Sequence, residues 1–204
     1  GVPIIAAWFK KHGYVTVSNG KILHKTNDSM GAWSEKAWRP DRDFRDYQNP
    51  ENIALAEQDG HGPAVEYGHS DAVYGDDLTL KKRLEDLDRL SRSDSPFFLG
   101  VGFFKPHLPF CAPGQFWDLH NPDSIGLADN RYAPENAPKA SMHSYGELRK
   151  YNDIPDDVNV DVPDSTQLVL RHGYFACVSY VDHLLGRLFD KLDELGLNDN
   201  TAVV

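Results

Sequence analysis

Two lysine and histidine pairs are the residues best placed to do chemistry: Lys21 with His24, and Lys105 with His107. Each pair follows an apolar run. Tyr14-Val15-Thr16-Val17-Ser18 leads into Asn19-Gly20-Lys21-Ile22-Leu23-His24, and Pro96-Phe97-Phe98-Leu99-Gly100-Val101-Gly102-Phe103-Phe104 leads into Lys105-Pro106-His107. A fixed cation beside an imidazole that titrates near neutrality combines charge stabilisation with proton transfer, which suits an oxyanion substrate. An apolar run closed by turn residues reads as a core strand that delivers polar groups to its end. In open α/β sheets that end is where ligands bind.

The elements that must position these pairs follow from periodicity. Pro3 to Lys11 reads as a short helix with proline near its start, stopped by Gly13 and followed by the alternating strand Tyr14 to Ser18. A second helix is expected from Asp76 to Ser91, with Leu80, Leu84, Leu87 and Leu90 on one stripe and Asp76-Asp77 as its N-terminal caps. It leads into the Pro96 strand, a helix-to-strand unit. The clearest helix opens near Asp164 or Ser165, carries Tyr174, Val178, Val181, Leu185, Leu188, Leu192 and Leu195 three or four apart, and stops at Gly196. Lys25 to Gly75 and Ala112 to Pro163 show no sustained period, and the second reads as functional lids or binding walls. Trp33, Trp38 and Trp117 are expected to pack in the core rather than stack on a ligand. Alternating helices and strands predict an α/β fold with a mostly parallel sheet flanked by helices.

Composition bounds the partners. With 204 residues, 40% hydrophobic and 25% charged, the chain suits one domain or the larger part of one. A formal net charge of −10 excludes the clustered cations that nucleic acid binding needs, so an anionic ligand must be held by a local cationic pocket. No stretch approaches the roughly 18 uninterrupted apolar residues of a membrane span. The two cysteines, Cys111 and Cys177, could be one disulfide, two free thiols or one of each, and the oligomeric state is not legible.

Three blocks, Gly13 to His24, Pro96 to Phe110 and Gly173 to Asp182, resemble the sulfatase family in order and spacing, and within it the iduronate-2-sulfatase-like branch. The resemblance implies an alkaline-phosphatase-like sulfatase fold and hydrolysis of sulfate esters, those of a sulfated sugar or glycosaminoglycan first among them. Lys21 and His24 match the family's Gly-Lys-X-X-His positions, where the lysine contacts sulfate and the histidine supports the formylglycine hydrate. His107 matches the second active-site histidine, a sulfate contact and proton donor to the leaving group, while Lys105 is a weaker candidate for a substrate carboxylate. The resemblance also implies a formylglycine nucleophile, made from cysteine in a Cys-X-Pro/Ser-X-Arg motif, and a Ca²⁺ ion held by an early Asp-Asp pair and a later Asp-His or Asp-Asn pair. A periplasmic, secreted or lysosomal location follows on the same grounds.

The sequence departs from that pattern at the nucleophile and the metal. Cys111-Ala112-Pro113-Gly114-Gln115 lacks the arginine and follows the Gly-Lys-X-X-His block instead of preceding it, so Cys111 reads as a small, partly buried thiol. A lone carboxylate holds calcium poorly. Asp76-Asp77 opens a helix, Asp182-His183 lies mid-helix, and Asp199 to Val204 reads as the turn and first residues of a further strand. The expectation is therefore that residues 1–204 are the central part of a single sulfatase catalytic domain, with calcium ligands and formylglycine outside this chain and the chain alone inactive. Two alternatives stand beside it: a phosphate or phosphonate ester hydrolase of the same superfamily, told apart by its nucleophile, and a non-catalytic sulfated-carbohydrate-binding relative.

Overall fold

A computed structural model describes residues 3–25 and 29–204. Part of the aperiodic stretch after Lys25, residues 26–28, lies outside the described residues. The chain divides into two compact units, Gly1–Phe44 with Val73–Phe104 and Val181–Val204, and Arg45–Ala72 with Lys105–Tyr180.

In the first unit, helix α1 (Ile5–Lys11) carries lysines in its last turn, where they suit the carbonyl end of the helix, and the chain reverses at Gly13 with φ +87°. Strand β1 (Val15–Gly20) follows, extended by the β-branched Val15, Thr16 and Val17 and buried from Thr16 onward. The cluster of Ala6, Ala32 and Trp33, with Ile22 and Phe98 packed on it, joins α1 to the strand layer. Phe9 stacks on Phe98 with ring centroids 4.9 Å apart. Helix α3 (Gly75–Ser91) buries Leu80, Leu87 and Leu90 and precedes strand β3 (Phe97–Gly102). β1 and β3 pair in parallel from Val15↔Phe97 to Gly20↔Gly102. Beyond β1, Trp38 bridges to Asn19, and the Gly20 N–H donates to the Trp38 carbonyl at 2.8 Å.

The second unit holds elements that the aperiodic stretches hid. Helix α2 (Pro50–Asp59) starts with proline and ends at Gly60, φ +78°, but has no buried residue and so no apolar stripe. Its N-terminus is secured by a buried carboxylate: Glu66, on strand β2 (Val65–Gly68), accepts from the Gln48 and Asn49 N–H groups and from Asn52 Nδ2. β2 pairs in parallel with strand β4 (Phe110–Pro113), which runs into the one-turn helix α4 (Gly114–Trp117). The Pro96 to Phe110 block is therefore two strands and a connection, in which the Lys105-Pro106 and Leu108-Pro109 bonds are cis.

Helix α5 (Asp164–Glu194) supplies its residues through Tyr180 to the second unit and the rest to the first. Its buried face is Gly173, Ala176, Cys177, Tyr180, Leu184, Leu188 and Leu192. The expected stripe is thus corrected near its start, because Tyr174 and Val178 are 44% and 43% exposed. The reason is steric: a Cβ on Gly173 would lie 2.9 Å from Phe110 Cβ and 2.9 Å from Trp117, so the small-residue edge of the helix faces inward.

Parallel pairing flanked by helices bears out the α/β reading, although the described residues form two separate two-stranded ladders. Of the turn and first strand residues expected over Asp199 to Val204, the turn is present as a 3₁₀ turn at Asn198–Asn200, and residues 201–204 make no ladder among the described residues.

Candidate functional site

Lys21 and His24 leave the end of β1, and α3 holds that end in place. The Arg83 guanidinium, fully buried, donates to the Gly100 carbonyl at 2.7 Å and to the Asn19 carbonyl. Asn19 Nδ2 donates in turn to Asp86 Oδ2 at 2.5 Å, while Lys82 and Arg89 pair with Asp86 Oδ1 at 2.7 and 3.0 Å. Burial alone raises the Asp86 pKa, yet hydrogen bonds from Lys82, Asn19 and Arg89 outweigh it and hold the carboxyl below its ordinary range. Burial pulls Arg83 down to about 9, against an upward pull from Asp86, and leaves it charged at neutral pH. Both strand ends are thus tied to one helix by charge-assisted bonds.

The turn itself is shaped by close backbone approach. Gly20 has φ +73°, and a Cβ there would lie 1.9 Å from the Gly102 carbonyl oxygen, which accepts from the Lys21 N–H at 2.9 Å. Lys21 Nζ lies 5.6 Å from the centroid of the Phe104 ring, within cation–π range. His24 is exposed, and Arg39 donates to the Leu23 carbonyl and to the His24 carbonyl, the latter at 3.4 Å. Ser18, Gly20, Leu23, Lys25, Trp33, Ala37 and Arg39 line a cleft of about 210 Å³, solvent-facing space included. Lys21, His24 and a loop clamped by Arg39 therefore follow the end of β1, beside a cleft that Lys21 and His24 do not line.

At the end of β3 the aspartates divide. Asp77 accepts from the Tyr74 N–H at 2.9 Å, closing a capping box, so that cap is as read. Asp76 is corrected: it is buried and accepts from the Phe104 N–H at 2.8 Å, tying the helix to the strand exit because that N–H has left the β ladder.

In the second unit, His107 Nδ1 lies 2.6 Å from the Leu108 carbonyl oxygen, and Nε2 lies 3.4 Å from Glu147 Oε1. Lys105 is 5% exposed, and its Nζ donates to the Pro109 carbonyl at 2.7 Å, within the segment between β3 and β4.

The remaining candidates are structural. Cys111 and Cys177 are fully buried thiols outside any disulfide, and Cys177 Sγ lies 3.7 Å from the Cys111 carbonyl oxygen, which resolves the three cysteine alternatives. Burial pushes the Cys111 thiol well above its ordinary value and favours its protonated form, against a lowering pull from Lys105. Trp33 and Trp117 are buried as expected, Trp38 half-buried. Asp182 and His183 sit exposed within α5. Among the described residues no three His, Cys, Asp or Glu side chains form a group able to hold a metal ion, so these residues do not by themselves fit a calcium site. No helix among them is long and apolar enough to cross a membrane.

Sequence reasoning missed Arg83, Asp86, Arg39 and Glu147, and gave Asp76 only its capping role. Arg83 and Asp86 carried one faint signal, opposite charges three apart beside a leucine stripe, which reads equally well as a solvated face. The others had none, since their partners are distant in sequence.

The sulfatase family's sequence model matches residues 1–204. Iduronate 2-sulfatase of Homo sapiens is 31% identical over 98% of this chain and 38% of its own length. The ulvan-active sulfatase of Formosa agariphila is 26% identical over 98% of the chain and 34% of its length, and the choline-sulfatase of Rhizobium meliloti is 26% identical over 100% and 41%. The chain thus spans about two fifths of the human relative. With parallel ladders between helices and a family match along its whole length, this chain belongs to the sulfatase family and has its alkaline-phosphatase-like α/β architecture.

Proposed function

We propose that residues 1–204 are the central part of a sulfatase catalytic domain, and that the complete protein hydrolyses sulfate esters of a sulfated sugar or glycosaminoglycan. The observation that carries this reading is the Gly20-Lys21-X-X-His24 turn, held at the paired ends of β1 and β3 by Arg83 and Asn19, in a chain that matches the family throughout. Hydrolysis puts negative charge on the equatorial oxygens and on the departing alcohol oxygen, so preorganised cations and a proton donor lower the barrier. Lys21 contacts the sulfate oxygens, His24 supports the nucleophile, and His107 donates a proton to the leaving group.

The nucleophile is a formylglycine and the metal is calcium, both supplied from outside these residues. Bound calcium would supply positive charge that orients the sulfate; the described residues do not by themselves form its site. An exported or lysosomal location accompanies this reading.

The test is release of inorganic sulfate by the complete protein from a panel of sulfated monosaccharides, with 4-nitrophenyl sulfate and 4-nitrophenyl phosphate as references. Sulfate release with little phosphate release supports the reading. Phosphate release alone would transfer the chain to the phosphoester branch of the superfamily, and sugar binding without turnover of either ester would make it a binding relative. The 204-residue chain by itself is expected to release none.

A further inference from the structure

His107 faces an acceptor at each ring nitrogen. A carbonyl oxygen can only accept, so the 2.6 Å contact from Nδ1 to Leu108 places a proton on Nδ1 and leaves Nε2 as the nitrogen that can meet a substrate. Nε2 stands at ion-pair distance, 3.4 Å, from Glu147 Oε1.

That carboxylate is held there by packing. Leu108, next to His107, and Leu148, next to Glu147, both pack against the cluster of Ala64, Tyr151 and Ile154. The segment after Glu147 is further secured by Arg149, which donates to the carbonyls of Pro155, Asp157 and Val160 at 2.9, 2.6 and 3.0 Å. Two apolar neighbours anchored in one core therefore set the spacing between imidazole and carboxylate, and a preorganised pair of this kind loses little freedom when it acts. Glu147 is itself half-exposed, so one oxygen can face Nε2 while the group remains in touch with water.

We propose that Glu147 is a positioning residue for His107: it accepts from Nε2–H and so holds the ring orientation before reaction, and the departing alcohol oxygen takes its place as the acceptor of that proton. The inference rests on the reading of His107 as the leaving-group acid. In that step an oxygen nucleophile of the enzyme forms a bond to sulfur and the sulfur to ester-oxygen bond breaks. The bonding pair stays on the departing oxygen and the Nε2 proton moves to it. The imidazole is left neutral with Nδ1–H still on the Leu108 carbonyl, and Nε2 regains a proton from bulk solvent beside Glu147.

Acid assistance matters for a poor leaving group and hardly at all for a good one, which separates this role from a structural one. In the complete protein, Glu147→Gln is expected to lower kcat on a sulfated monosaccharide by about tenfold or more, with a change of less than about twofold on 4-nitrophenyl sulfate. Glu147→Asp should recover most of the loss, and His107→Ala should show the same selectivity more strongly. Equal losses on both esters, or no loss on the sugar sulfate, would overturn the proposal. Should the wild-type protein cleave phosphate but not sulfate esters, the sulfate reading fails, and the same comparison with a sugar phosphate and 4-nitrophenyl phosphate tests Glu147. Independently of turnover, Glu147→Gln must move the ¹⁵N resonance of His107 Nε2 in histidine-labelled protein; an unmoved resonance overturns the proposal whatever the enzyme hydrolyses.

Discussion

Asp86 shows how much one residue can carry beneath a site it does not enter. It is 1% exposed and receives Asn19, Lys82 and Arg89. Its folded pKa lies below the ordinary value, so its stabilising contribution is present above the unfolded carboxylate range and is lost as pH falls through the folded value. Asp86→Asn is therefore expected to cost about 2–4 kcal/mol near neutrality. The difference from wild type should shrink below about pH 4, as measured by urea unfolding across the acid range. The residues that would touch substrate are tested by activity: Lys21→Ala, His24→Ala and His107→Ala should each lower turnover of a sulfated monosaccharide by the complete protein by about 10² or more. Near-wild-type turnover in all three would remove them from the reaction.

At the scale of elements, the β1/β3 pair depends on two backbones meeting where its strands end. Gly20→Ala combines a positive φ with a Cβ 1.9 Å from the Gly102 oxygen, so it should cost more than about 3 kcal/mol in thermal or urea unfolding. Gly60→Ala, with φ +78° but open space around it, should cost only about 1 kcal/mol, and equal losses would show that contact at Gly20 is not what matters. α1, α3, α5 and the first strand were legible because period and punctuation are local. α2 was not, since its N-terminus is satisfied by Glu66 from β2 and none of its residues is buried. β2 and β4 were not, since four-residue strands carry too little pattern and exist only through their pairing.

Over the whole molecule, each unit closes around residues brought from remote parts of the chain, and the thiols report on that closure. Cys111 and Cys177 are both fully buried thiols outside any disulfide, so Ellman's reagent should leave the folded chain unlabelled and modify two thiols after denaturation. Rapid labelling of either thiol in the folded protein would contradict the burial of β4 against α5. The sequence by itself determined the family, the α/β class and the lysine and histidine positions at two strand ends, because motif order and hydrophobic period are properties of neighbouring residues. Only the tertiary structure decided which face of α5 turns inward, that the buried Lys105 donates to the Pro109 carbonyl, that Asp76 holds the strand exit and that Glu147 faces His107. Those outcomes depend on the size and charge of groups far away in the chain, and a buried polar group must take whatever partner the fold brings within reach.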